Sequence, residues 1–186
     1  MTVIDLSIDL PESHTKIDDD YGEPESLFLY GSKIFIMSTK NAKVTIFNKF
    51  NNVVTKRISV PSNPVKAVRV DATVYILHRD TPLISVIDSS REKLTDIITL
   101  PYLADDIILA NNHLYILHKE ANKVSIIDAK SPTIKKTIST TLSVGERPIS
   151  ATLLGENLYV NNSGGNSVSV IDTTTNTVTK TLSVNE

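Results

Sequence analysis

The chain has 186 residues, enough for one domain with a substantial hydrophobic core. Hydrophobic residues make up 40% and charged residues 22% of the sequence, which is typical of a globular protein rather than a disordered one. With 19 basic and 21 acidic residues the chain lacks the basic excess of a general nucleic-acid binder. The absence of cysteine excludes disulfides, thiolate metal sites and a cysteine nucleophile.

The N-terminal region predicts one strand and one loop ahead of the rest of the chain. It begins MTVIDLSIDLPESH, which lacks the basic and apolar regions of a signal peptide, and no apolar run approaches the roughly 20 residues that span a bilayer. We therefore expect no membrane span, and a cytoplasmic location unless the chain is part of an assembled particle. Residues 3–10 align with residues 53–60 and predict an extra strand. The run Asp18, Asp19 and Asp20 indicates a solvated loop rather than a cation site.

Three landmarks recur along the remainder of the chain at intervals of 40, 40 and 44 residues. The first is an aromatic residue inside an apolar segment, at Phe35, Tyr75, Tyr115 and Tyr159. The second is a polar residue that closes a second apolar segment, at Asn48, Asp88, Asp128 and Asp172. The third opens each unit, at Pro24, Pro64, Ala104 and Pro148. Three landmarks in one register indicate four copies of a single structural unit.

Each unit is predicted to contain four short strands, and the last unit shows them most clearly. Its strands are predicted at residues 149–154, 158–161, 168–172 and 178–184, and they are rich in Val, Ile, Thr and Tyr. Gly155, Asn166 and other turn residues separate them. The additional residues of the longer interval lie between Ile138 and Val144 and predict a bulge or a longer outer strand.

Four strands per unit of about 40 residues are typical of a propeller blade. We therefore predict an all-β fold of the β-propeller type, a single domain of residues 1–186. It would consist of four antiparallel four-stranded blades at residues 24–63, 64–103, 104–147 and 148–186, with the strand at residues 3–10 in addition. A two-sheet sandwich is the main structural alternative, but it would not account for the repeated landmarks.

Residues 158–184, LYVNNSGGNSVSVIDTTTNTVTKTLSV, closely resemble the YVTN-type β-propeller repeat. The resemblance covers about residues 24–186 and weakens toward the N-terminus. His78 and His118 replace the Asn at the end of the YVTN stretch, and Asn48 replaces the aspartate. The resemblance implies antiparallel blades around an axis and a structural role for the motif residues, so no catalytic residue is carried over.

The blade count leaves three arrangements open. The chain could be the front part of a longer propeller, an open arc whose edges are covered by another copy, or a compact four-blade ring. Because an exposed sheet edge or blade face invites pairing, the sequence favours self-association or a protein partner that covers the ends.

Five polar residues are candidates for a ligand site at the axial face. Asp105 and Asp106 open the first strand of the third unit, and Glu25 is the equivalent of Asp105. His78 and His118 occupy equivalent positions in adjacent units, and a pair of imidazoles is a possible metal site. Solvated carboxylates and polar turn residues after the second strand are the structural explanations, and these are favoured.

The recurring residues before the last turn of each unit have a structural interpretation as well. A carboxylate at this position accepts backbone N–H groups in an Asx-turn, and Asn48 can take the same role. We therefore predict that Asp88, Asp128 and Asp172 stabilise turns rather than carry out chemistry.

The functional prediction is a non-catalytic scaffold that mediates protein–protein interaction within a larger surface or virion-like assembly. One alternative is a propeller that binds a sugar or another small ligand. A second is a lactonase-type hydrolase with a site on the axial face. No catalytic residue, metal site or cofactor is predicted, and no nucleic acid is expected as a partner.

Overall fold

The described part of the molecule is a series of β-hairpins. A computed structural model describes residues 24–51, 53–130 and 140–184, and the statements below concern those residues. Sixteen strands form four sheets, here called blades 1 to 4, and the strands of each blade are consecutive in the chain. Blades 1 and 2 comprise β1 (Pro24–Tyr30), β2 (Lys33–Ser38), β3 (Lys43–Asn48), β4 (Val53–Ser59), β5 (Pro64–Val70), β6 (Thr73–His78), β7 (Leu83–Asp88) and β8 (Lys93–Thr99). Blades 3 and 4 comprise β9 (Asp106–Ala110), β10 (His113–His118), β11 (Lys123–Asp128), β12 (Thr140–Ser143), β13 (Pro148–Leu154), β14 (Asn157–Asn162), β15 (Ser167–Asp172) and β16 (Thr177–Ser183).

Neighbouring strands within every blade are antiparallel, so the predicted fold class is confirmed. In blade 4 the bounds of the strands differ from the prediction by one residue, since β13 begins at Pro148 and β16 ends at Ser183. The predicted strand at residues 3–10, the acidic loop at Asp18–Asp20 and most of the insertion after Ile138 lie outside the described residues. Among the residues described, helix is limited to one 3₁₀ turn at Lys119–Ala121, and no helix is long and apolar enough to cross a bilayer.

Two-residue loops join the first and second strands of each blade, and their first residue has the same backbone conformation in all four. This residue adopts a positive φ of 57° at Gly31, 51° at Asp71, 44° at Asn111 and 60° at Gly155. Turns with positive φ match the twist of the flanking strands, and Gly, Asn and Asp adopt them at the lowest cost. The choice of residue at this loop therefore sets the hairpin register on which each blade is built.

Blades 2 and 3 bury side chains on both of their faces, because each packs between two others. We call the face toward the preceding blade the upstream face and the opposite one the downstream face. In blade 2 the upstream face carries Val74, Ile76 and Ile87, which pack against Phe35 and Met37 of blade 1. The same arrangement joins blade 2 to blade 3 and blade 3 to blade 4. The hydrophobic core is thus three successive layers between blades.

The four blades form an open arc rather than a closed ring. The first strands contact one another in the order β1, β5, β9, β13 and therefore line the inside of the arc. Among the described strands, no contact of comparable extent joins β1 to β13. The compact four-blade ring, one of the arrangements left open by the sequence, is thus not the arrangement of these strands.

Candidate functional site

The candidate residues lie at one end of the arc, which we call the axial end. Antiparallel pairing places the start of each first strand beside the end of the second, as in Pro64 opposite His78. Glu25 and Asp106 lie near the starts of β1 and β9, and His118 ends β10. The structure therefore brings the five predicted residues to the same end, although it distributes them over three blades.

Three ion pairs connect successive blades at the axial end. They join Glu25 to Arg79, Lys66 to Asp106, and Glu120 to Arg147. The Oε1 of Glu25 lies 2.8 Å from Nη2 of Arg79, and the corresponding distance from Glu120 to Arg147 is 3.6 Å. Because these side chains are partly exposed to water, each pair stabilises the fold by at most about 1 kcal/mol. Two of the three acidic residues predicted to face a ligand, Glu25 and Asp106, are therefore paired with basic residues of an adjacent blade.

Asp105 is held differently from its neighbour Asp106. Its Oδ2 accepts a hydrogen bond from the backbone N–H of Lys119 at 2.9 Å, and its own N–H donates to the carbonyl of Leu117 at 2.9 Å. Asp105 therefore connects the beginning of blade 3 to the 3₁₀ turn that follows β10. This is a positioning contact within the blade.

His78 and His118 are buried, although the sequence suggested polar turn residues at these positions. Each is the last residue of a second strand and is 0% exposed. Nε2 of His78 lies 2.8 Å from the hydroxyl of Ser85, and Nδ1 lies 3.0 Å from the carbonyl oxygen of Ser62. His118 repeats the arrangement with Ser125 at 2.8 Å and Leu103 at 2.9 Å.

The surroundings of these two histidines define their protonation. Burial lowers the pKa of both His78 and His118 below the ordinary value of 6.5, against smaller opposing contributions from backbone hydrogen bonds. In the neutral ring, Nδ1 donates to the carbonyl and Nε2 accepts from the serine hydroxyl, because a carbonyl only accepts. Both nitrogens are thereby engaged. Among the described residues no three His, Asp or Glu side chains are grouped to hold a metal ion.

Blades 1 and 4 have other residues at the positions of the histidine and serine that pair in blades 2 and 3. In blade 4 the side-chain amide of Asn162 donates to the hydroxyl of Ser169 at 2.9 Å. In blade 1 the equivalents are Ser38 and Thr45, and the buried hydroxyl of Ser38 has no partner among the described residues. A side-chain hydrogen bond between the second and third strands is thus a repeated structural element of blades 2 to 4.

The predicted Asx-turns are confirmed in every blade. The backbone N–H two residues further on donates to the side chain of Asn48 at 2.9 Å, Asp88 at 2.9 Å, Asp128 at 2.8 Å and Asp172 at 2.8 Å. Hydrogen bonds from the hydroxyl and backbone N–H of Thr174, with a further one from Thr175, hold the pKa of Asp172 below its ordinary value. These carboxylates stabilise the last turn of each blade.

Tyr75 and Tyr115 of the second strands tie adjacent blades together, a role that sequence reasoning missed. The hydroxyl of Tyr75 donates to the carbonyl of Ala129 at 3.1 Å, and that of Tyr115 donates to the side chain of Asn176 at 2.5 Å. Burial, with a smaller contribution from the Asp172 carboxylate, raises the pKa of Tyr115 to about 12, so this hydroxyl keeps its proton. The separation of 61 residues between Tyr115 and Asn176 explains why no local pattern indicates the contact.

The second feature of note is the upstream face of blade 1, which no other described blade covers. Leu27 and Leu29 are 52% and 56% exposed, and Ile34, Ile36 and Phe47 are partly exposed. The equivalents of Ile34, Ile36 and Phe47 in blades 2 to 4 are only 0–1% exposed. They are Val74, Ile76, Ile87, Leu114, Ile116, Ile127, Leu158, Val160 and Ile171. The segment LFLY at residues 27–30 signals this face, because it is apolar on both sides of the strand.

Comparison with known proteins identifies the fold and no family. No family model and no curated protein matches the chain. Among solved structures, the chain is similar to hydrazine synthase from Kuenenia stuttgartiensis, with 19% identity and a TM-score of 0.75 over 94% of this chain and 53% of the other. It is similar to a functionally unknown protein from Desulfotomaculum acetoxidans, with 17% identity and a TM-score of 0.75 over 89% and 57%. It is also similar to BamB from Moraxella catarrhalis, with 13% identity and a TM-score of 0.63 over 81% and 49%.

The chain thus spans about half the length of these structures. At such low identity the likeness concerns the fold alone, and the finer resemblance to the YVTN-type repeat stays a prediction. What the blades and the comparisons establish together is that this is an all-β chain of the β-propeller type.

Proposed function

We propose that this chain is a non-catalytic scaffold of the β-propeller type, and that it binds a protein through the upstream face of blade 1. The observation that carries the proposal is the exposure of Leu27 and Leu29, at 52% and 56%, beside the partly exposed Ile34, Ile36 and Phe47. Contiguous apolar surface of this kind is typical of a protein interaction site. In the other three blades the same face is the core of an interface between blades.

The polar side chains of the axial end, unlike the exposed apolar face of blade 1, are already engaged in contacts within the chain. There, Glu25 and Asp106 pair with basic side chains of the adjacent blade, and Asp105 accepts a backbone hydrogen bond. Side chains that are engaged in this way are poor ligands for a sugar or a metal ion, because binding would first have to break those contacts. No observation on the described residues favours the alternatives of a small-ligand site or a lactonase-type hydrolase.

Site-specific photocrosslinking tests the proposal. A benzophenone amino acid is introduced at Leu29 of the 186-residue chain, and crosslinked species are recovered from the native cells and identified by mass spectrometry. The matched control carries the same group at Ile97, which is 43% exposed on the outer strand of blade 2. We expect one discrete crosslinked protein from position 29 and none from position 97. Equal or absent crosslinking at the two positions would contradict the proposal.

A further inference from the structure

We infer that the protein covering blade 1 is a second copy of this chain, which contributes the downstream face of its blade 4. This inference rests on the proposed function, since it names the partner for the same surface. It follows from the repeat itself. The chain contains three interfaces in which a downstream face packs on an upstream face. Of the described blades, this leaves one upstream face in blade 1 and one downstream face in blade 4 uncovered.

The downstream face of blade 4 carries three exposed apolar side chains whose equivalents in blade 2 are buried. Leu154, Leu182 and Val184 are 70%, 40% and 62% exposed. Their equivalents in blade 2 are Val70, Ile98 and Leu100, which are 8%, 4% and 4% exposed because blade 3 covers them. Blade 4 therefore presents the same half of an interface that blade 2 uses within the chain, and blade 1 presents the other half.

A polar contact indicates the register of this interface. Within the chain, the hydroxyl of Tyr75 in blade 2 donates to the carbonyl of Ala129 in blade 3. Tyr159 is the equivalent tyrosine of blade 4, and among the described residues nothing accepts its hydroxyl. The position of Ala129 corresponds to Lys49 in blade 1. In the assembly of two copies, Tyr159 of one copy donates to the carbonyl of Lys49 of the other.

Two copies close a ring in this way. Each arc has four blades, and eight is within the range of about four to eight blades at which propellers close. The two interfaces are equivalent by two-fold rotation, and together they cover all of the open blade faces described here. Two copies also supply about as much chain as one of the similar solved structures, which this chain covers to 53% and 57%.

Light scattering with complementary variants tests the inference. The wild-type chain is expected to have twice its mass of 20.4 kDa at micromolar concentrations. Leu29→Asp places a charge on the upstream face of blade 1, and Leu182→Asp places one on the downstream face of blade 4. Either variant alone alters both interfaces of the ring and is expected to be a monomer. An equimolar mixture of the two retains one unaltered interface, and we expect it to restore the doubled mass.

A matched control variant tests whether any added charge disrupts the dimer. Ile97→Asp alters an exposed apolar residue on the outer strand of blade 2, which carries neither open face, and is expected to stay a dimer. Circular dichroism verifies that all three variants fold. A monomeric wild type, a wild type larger than a dimer, a dimeric Leu182→Asp, or a mixture that stays monomeric would each overturn the inference. If the wild type is a monomer but position 29 still crosslinks to a different protein, the second copy is refuted and the proposed function stands.

Discussion

The open arc makes a quantitative prediction about equivalent isoleucines. Ile36 in blade 1 and Ile116 in blade 3 occupy the same position of the upstream face, but Ile116 is 0% exposed whereas Ile36 is partly exposed. Replacing a fully buried isoleucine by alanine costs about 2–5 kcal/mol of unfolding free energy, from lost burial and the cavity left behind. At Ile36 less area is buried and water can fill the space, so we expect a loss of about 1 kcal/mol.

Thermal unfolding distinguishes the two variants. For a chain of this size, 1 kcal/mol corresponds to about 2–4 °C in Tm. Ile116→Ala is therefore expected to lower Tm by about 4–20 °C, and Ile36→Ala by about 2–4 °C, at a protein concentration where the chain is monomeric. At higher concentration the proposed dimer predicts a larger cost for Ile36→Ala, because a second copy would then cover the face. Equal losses for the two variants in the dilute monomer would refute the open arc.

Two further predictions concern the polar contacts. Burial lowers the pKa of His78 and His118 below 6.5, so the unfolded chain binds more protons than the folded chain at mildly acidic pH. Their contribution to stability is complete above pH 6.5 and is lost as the pH falls toward the folded-state pKa. The urea midpoints of unfolding at pH 7.5 and pH 5 should therefore differ less in His118→Asn than in the wild type. An unchanged difference would contradict the assignment of His118 as a buried neutral histidine. For the ion pair of Lys66 with Asp106, a double-mutant cycle with alanine should give a coupling of at most about 1 kcal/mol that shrinks in high salt, and a larger, salt-independent value would indicate a pair shielded from water.

The sequence predicted most of what lies within a blade. The spacing of Phe35 and its equivalents indicated the four units, and the turn residues located the hairpins to within about one residue in blade 4. The Asx-turns of Asp88 and its equivalents were predicted correctly. These features are local, since antiparallel strands joined by short turns have their register defined by the turn itself.

The candidate site was predicted less completely. Glu25, Asp105 and Asp106 were recognised as acidic residues at one end, but the groups that hold them were not. Arg79 lies 54 residues from Glu25, and Lys66 lies 40 residues from Asp106. Such contacts cross from one blade to the next. They differ between interfaces because the charged residues are not part of the pattern that the units share.

The sequence by itself determined the repeating unit, its four strands and the turns between them, because these depend on short-range backbone preferences and on a hydrophobic pattern of period two. Only the tertiary structure decided that His78 is buried and neutral, and that the tyrosine hydroxyls connect adjacent blades. It alone decided as well that no other described blade covers the upstream face of blade 1, because whether four blades close into a ring depends on how each packs against the next. That open face is where we place the function of the protein.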